Sequence, residues 1–434
     1  MKKAIKKSIC VTAMIAWALC TQTAHAQWWS LTGNAGTTPG TNFLGTTDQK
    51  ALYLKTKNLT RLAISASGNV GIGTTAPGYK LDVAGDASLN GVKVGRGKGN
   101  LNSNTAVGAS TLANNTTGYE NTVIGNGALL SNTTGVNNSA IGFQSLNANT
   151  SGSYNTANGY QALFLNTMGN SNDANGHQSL YYNTTGYENT ATGNGALFSN
   201  TLGFNNTATG FQALYSNVGA YTVEFGWSGV RNTAYGYQAL FNGTNGSDNV
   251  AIGFKANYTG NGAQNTNVGA YSEPINAFPI FNATSIGYNA KVNNNNKIRL
   301  GDANVTVIEG QVAFSFPSDA RFKYNVKSDI PGLDFITQLK PVSYNFDTKK
   351  FEEHLMQNMP DSIKEERMKG RDFTESSKIV HSGFLAQDIE KICKQLGYDF
   401  DGLHIPDASN KTDNYSVAYS QFIMPLVKSV QELS

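Results

Sequence analysis

Several ordinary resources are missing from this 434-residue chain. It has three cysteines. Cys10 and Cys20 fall within the first 26 residues, so removal of that segment leaves Cys393 alone and no intrachain disulfide can form. Charge is scarce in the middle: between residues 101 and 290 there are two basic side chains, Arg231 and Lys255, and six acidic ones, Glu120, Asp173, Glu188, Glu224, Asp248 and Glu273. A net charge of +3 with no basic stripe gives no electrostatic case for nucleic acid. The same scarcity removes the clustered carboxylates that a glycan-cleaving enzyme would need. Five histidines sit at no metal-ligand spacing, and neither an HExxH nor a GxSxG motif occurs, so no metal is expected. Gly71-Ile-Gly73-Thr-Thr-Ala76 matches a dinucleotide fingerprint in form only, because Pro77 follows at once and no helical period opens there. No cofactor is expected. After residue 26 no apolar run reaches the length of a membrane span.

The first 26 residues read as a signal peptide. Lys2, Lys3, Lys6 and Lys7 precede the apolar run "ICVTAMIAWAL", and "AHA" at 24–26 fits a small-residue cleavage site before Gln27. The expected location is outside the cell or on its surface, with the periplasm as the alternative.

Glycine is abundant, at 46 residues, and it is periodic. Anchor glycines stand at 108, 125, 142, 159, 176, 193 and 210, in steps of 17, and resume at 236, 253, 269 and 287. The unit reads N-[TS]-A-x-G-x-x-[AS]-L-x-x-N-T-x-G-x-x. A period of this size signals a solenoid. A short alternating run leads into the glycine corner, whose conformation only glycine adopts freely. One leucine per unit (Leu112, Leu129, Leu146, Leu163, Leu180, Leu197, Leu214, Leu240) would stack into an apolar column. The Asn/Thr/Gly phrase that follows reads as a turn. So thin a core predicts help from neighbouring chains, which could bury Phe143, Tyr160, Phe211 and Tyr237. The 26-residue step holds an insertion, "GAYTVEFGWSG" at 219–229, which reads as a protruding binding loop or as a tolerated insertion. Over 101–290 the repeated phrase resembles the head repeats of trimeric autotransporter adhesins. That resemblance implies a left-handed parallel β-roll in a three-chain bundle.

Charge returns with "SDARFK" at 318–323. "GLDFITQLKPVSYNF" (332–346), "GFLAQDIEKI" (383–392) and the closing "YSQFIMPLVKSVQEL" follow in order. This set resembles the intramolecular chaperone domain, peptidase S74, that ends phage tailspikes and tail fibres. Two departures stand out: a charged insertion at 347–377, and the absence of a continuing coiled coil after Ser434. The resemblance implies that the domain helps three chains trimerise and then cuts itself off before the motif serine. Carried over, Ser318 is the nucleophile, Lys323 its base and Pro317–Ser318 the scissile bond. A lysine can serve as a base only where burial or a nearby like charge favours its neutral form, and Arg321 is a candidate for that charge. Five residues separate the pair, which puts them on opposite faces of a strand and well apart on a helix. They need an irregular backbone, or a lysine from a neighbouring chain.

In the closing helix Ile423, Leu426, Val430 and Leu433 step by 3, 4 and 3, the seam of a short coiled coil, unless the helix packs on its own domain. The expected organisation is a signal peptide (1–26), a β-rich cap or stalk (27–100), a 17-residue-repeat β-roll (101–310), and an α+β chaperone domain ending in a helix (311–434). The chain is thus expected to be mainly β and homotrimeric. It would be a structural fibre or, alternatively, a surface adhesin that binds a host or glycan ligand through the β-roll wall or the 219–229 loop. Single-turnover self-cleavage is the only enzymatic activity expected.

Overall fold

A computed structural model describes Gly36, Thr38 and residues 43–99, 101–222, 226–260, 262–275, 279–312 and 314–434. The expected signal peptide lies outside these residues. The chain divides after Gly85 into two compact units.

In the first unit, strands Leu52–Thr56 and Leu59–Ile64 form a tight hairpin. Its turn residues Lys57 and Asn58 both have positive φ, the conformation that lets a two-residue turn follow strand twist. Val70–Ile72 pairs antiparallel with the second strand and parallel with Leu81–Val83. The fingerprint-like glycines therefore lie on a strand and the turn after it.

The second unit is built on a parallel β-solenoid. Strands from Thr105–Val107 to Ile298–Leu300 stack one per rung in a single sheet, and equivalent residues pair across each step, as Ala157 does with Ala174. An antiparallel hairpin, Ala87–Leu89 with Val92–Gly95, closes the N-terminal edge of the stack. The solenoid sheet thus begins at Ala87, inside the segment that the sequence suggests as a separate cap.

Each rung is closed by backbone more than by bulk. Gly159 holds φ at 141°, and a Cβ placed there would lie 2.5 Å from the Gly176 carbonyl oxygen of the next rung. The expected glycine corner is present because two backbones meet with no room between them. The leucine column is present too, every member fully buried, and alanines such as Ala157 and Ala162 fill the rest of the lumen.

The asparagines differ from expectation. The one in each Asn-Thr-x-Gly phrase reads as a turn residue, yet it is buried. Asn166 Nδ2 donates to Asn149 Oδ1 at 2.8 Å, and Asn183 Nδ2 to Asn166 Oδ1 at 2.7 Å. Each also donates to the glycine carbonyl three residues on. A second ladder runs through Asn138, Asn155, Asn172 and Asn189, where each Oδ1 accepts the backbone N–H of the next rung's asparagine. Left-handed backbone falls instead on Tyr154, Gln161 and Leu163 (φ 60°, 53° and 52°), and on their counterparts along the stack. At a non-glycine residue that conformation costs on the order of 1–2 kcal/mol. The continuous amide ladders, satisfied inside a low-dielectric lumen, offset it.

The aromatics also find partners within the chain. Phe143 stacks on Tyr160 and Tyr160 on His177, with centroids 5.4 and 5.0 Å apart. A second column runs Phe164, Tyr181, Phe198, Tyr215, Phe241, Tyr258 at 4.9–5.3 Å. These separations follow the strand spacing of about 4.8 Å.

Within the insertion in the wall, Ala220–Thr222 pairs antiparallel with Gly226–Ser228. The second ladder crosses it, since Asn232 Nδ2 reaches Asn206 Oδ1 across the longer step at 3.1 Å. The first ends at Asn217, whose buried Oδ1 has no hydrogen-bond partner among the described residues.

Beyond the last rung comes the C-terminal module. Helix α1 (Leu333–Ile336) and strand Val342–Asn345 precede α2 (Thr348–Leu355), α3 (Asp361–Met368) and α4 (Thr374–Lys378). Strand Val380–Gly383, α5 (Ala386–Leu396), the strand pair Leu403–His404 and Ser416–Val417, and α6 (Ile423–Leu433) complete it. Val342–Asn345 and Val380–Gly383 pair antiparallel, so α2 to α4 form one excursion between paired strands. Phe335, Ile389, Cys393, Phe400 and Phe422 make the module's core. The Glu432 carboxylate accepts the Leu333 N–H at 2.7 Å and so ties the last helix to the start of the first. Among the described residues no helix is long and apolar enough to cross a membrane.

Candidate functional site

The segment between solenoid and module, residues 305–331, holds a single 3-10 turn among its described residues. Its apolar side chains alternate: Val305 and Val307; Val312, Phe314 and Phe316; Phe322, Tyr324 and Val326. All of them are exposed, Phe314 at 87%. Alternation of this kind is strand patterning, here without a sheet in the single chain.

The turn is Ala320–Phe322, and Asp319 caps it by accepting the Arg321 N–H at 2.9 Å. The residues at both ends, Asp319 and Lys323, are extended. One tight turn between two extended residues folds the chain back, and Lys323 Nζ lies 2.7 Å from Ser318 Oγ, donating to it. Of the two routes open from sequence, the irregular backbone is the one observed, within one chain. Arg321 turns elsewhere. Its Nε and Nη2 bind Asp319 Oδ2 at 2.9 and 2.5 Å. Those hydrogen bonds hold the Asp319 carboxyl below the usual carboxylate range and raise Arg321 in turn. The Arg321 charge is therefore engaged by Asp319, away from the role suggested for it beside Lys323. An Asp two residues before an Arg and next to the serine is the sequence signal of such a cap.

Pro317, Ser318 and Lys323 are all exposed in the single chain. Chemically the site offers a hydroxyl and an amine at hydrogen-bond distance, and that hydroxyl is joined through its own backbone nitrogen to the Pro317 carbonyl.

Residues 318–398 match the peptidase S74 family, described as the chaperone of endosialidase. The C-terminal module therefore carries a domain of that family, and the match begins at Ser318 itself. No curated protein and no solved structure matches the chain.

Proposed function

We propose that the chain is an exported, homotrimeric fibre of the tail-fibre type, whose C-terminal module templates assembly and then cuts the Pro317–Ser318 bond. The observation that carries this reading is the Lys323–Ser318 contact at the point where the family match starts. The solenoid supplies the fibre-like part. The unpaired alternating segment supplies strands that three copies can pair and bury together.

The cut follows from the connectivity. Lys323, once neutral, takes the proton of the Ser318 hydroxyl. Oγ adds to the Pro317 carbonyl carbon, and the C–N bond breaks as Lys323 returns the proton to the Ser318 nitrogen. The product is an ester between Pro317 and Ser318 Oγ. Water then adds to the ester carbonyl, the C–Oγ bond breaks, and Oγ recovers a proton. Pro317 leaves as a carboxylate and Ser318 as a free amino terminus. Enclosure of the site by neighbouring chains favours the neutral amine, so cutting follows assembly and reports it.

The test is sequencing of the secreted product. Wild type should show a new amino terminus reading "SDARF". Ser318→Ala should give full-length trimer, and so should Lys323→Arg, because a guanidinium keeps its proton. Intact wild-type trimer would reduce the module to a permanent trimerisation cap.

The adhesin reading draws on one observation: the insertion carries its own antiparallel strand pair, 220–222 with 226–228, outside the solenoid sheet. Deleting 220–228 restores the 17-residue step. Assembly should survive, and ligand binding would be lost only if this second reading holds.

A further inference from the structure

A parallel solenoid ends in a rung whose outer N–H and C=O groups lack a strand, an edge that other chains can join. The hairpin Ala87–Gly95 covers that edge at one end. At the other end the charged insertion that sets this module apart packs against the last turns. We infer that residues 347–377 are the solenoid's C-terminal cap, and that they keep the module bound to the fibre after the chain is cut at Pro317–Ser318. The second half rests on the self-cleavage proposed above, and the first does not.

The contact is built from both sides. In the last turns of the solenoid, Glu273–Pro274 pairs with Lys291–Val292, so Glu273 and Lys291 stand side by side, fully buried. Helix α2 brings Glu352, whose carboxylate lies 3.0 Å from Lys291 Nζ and 3.2 Å from Arg371. Arg367 at the end of α3 pairs with Glu273, and Arg371 with Asp302. At the margin Glu366 bridges Lys255 at 2.7 Å and the Tyr271 hydroxyl at 3.0 Å. Beneath these charges Ile275 of the solenoid packs with Leu355, Met356 and Met359. A second element of the module adds backbone contacts. Asn293 Nδ2 donates to the Thr412 carbonyl at 2.6 Å, Asn410 Nδ2 to the Asn293 carbonyl at 2.7 Å, and Thr412 Oγ1 to the Ile275 carbonyl at 3.2 Å.

All these residues lie in 255–302 on one side and 352–412 on the other. The exposed segment around Pro317 contributes none of them, so cutting it removes a tether and no contact. The charged groups would regain water on separation, and their pairing therefore provides fit more than strength. Strength comes from the Ile275 cluster and from the bonds to otherwise open backbone carbonyls. The paired signs also answer the scarcity of charge in the repeats, since Lys255 and Glu273 are both spent on this contact.

The experiment uses the full chain carrying Ser318→Ala, with a site-specific protease sequence inserted between Phe316 and Pro317. After the engineered cut, the C-terminal piece carrying residues 317–434 should co-elute with the solenoid in native gel filtration and separate only in denaturant. Two native peaks would overturn the inference. The same protein with Arg367→Ala and Arg371→Ala, its fold checked by circular dichroism, should lose the piece about tenfold faster or more. Equal retention by that variant would show that something other than the insertion holds the module, which also overturns the cap. Because the cut is engineered, failure of natural self-cleavage would leave this result unaffected and would be seen separately in the wild type.

Discussion

Gly159, Asn166 and Met168 lie within ten residues of one another and answer to different constraints. Gly159→Val must put a branched side chain at φ 141° and against the Gly176 carbonyl, and should cost roughly 2–4 kcal/mol. Asn166→Ala breaks a ladder at both ends. It strips the Asn149 Oδ1 and Gly169 carbonyl of a donor and leaves Asn183 Nδ2 one acceptor short. Loss of such buried partners costs about 1–3 kcal/mol. Met168 is exposed, and Met168→Thr should leave the melting temperature nearly unchanged. Thermal denaturation of the three variants checks this, and an Asn166→Ala protein as stable as Met168→Thr would refute the ladder assignment. The glycine corners and the leucine column were legible in the sequence because period and residue type agree there. The asparagine ladders were not, since an Asn beside Thr and Gly carries the same local signal whether it turns the chain or lines a lumen. Ser318 and Lys323 were legible from the motif around them. Their meeting was not, because it depends on one capped turn.

At the scale of elements, the closing helix decides between the two packings open to it. It buries Pro425 and Ser429, next to the buried Phe422, and exposes Ile423, Leu426, Val430 and Leu433. It packs on its own domain and still presents the heptad seam outward. In the proposed trimer that seam meets its copies, so Val430→Glu should lower the trimer fraction in sedimentation while circular dichroism of the module stays unchanged. Equal trimer content would remove α6 from the interface. The aromatic columns bear on the adhesin reading in a different way. Their ring faces are largely covered by one another, whereas Tyr154 and Tyr235 stand exposed outside the columns. The role of the 347–377 insertion could not be read from its own residues: Glu352 meets a lysine 61 positions away, and Glu366 one 111 positions away.

Across the second unit, the buried contact between module and solenoid gives stability a pH dependence. Burial alone would raise the Glu352 carboxyl, but Lys291 and Arg371 outweigh it and hold the group below its ordinary 4.5. A depressed carboxyl contributes stability that is present above 4.5 and is lost as pH falls through its folded value. Lys291 is pushed down to about 8 by burial, and it stays protonated in both states below that. Its burial cost is therefore constant between pH 4 and 7. The engineered-cut protein should retain its module at pH 5 to 7 and release it on acidification below about 4.5, read by native gel filtration. Retention that does not weaken anywhere below pH 4.5 while the fold persists would mean that Glu352 is not part of what holds the contact. A chain ending at Phe316 should be monomeric or aggregated, since it lacks both the module that aligns three near-identical repeats and the cover over the last rung. A well-folded trimer from that chain would make the module dispensable for assembly.

Within the repeats each rung packs on the rungs before and after it, and its ladders join equivalent atoms. This has a consequence for heredity. A gain or loss of seventeen codons, the error that recombination between near-identical stretches of DNA produces most readily, changes the number of rungs and leaves every remaining interface as it was. A second copy of residues 155–171 would meet the same partners above and below that the first one meets, with the hairpin at one end and the buried ion pairs at the other untouched. Length in this protein is a quantity that mutation can alter in whole steps, and the steps are nearly free of structural cost.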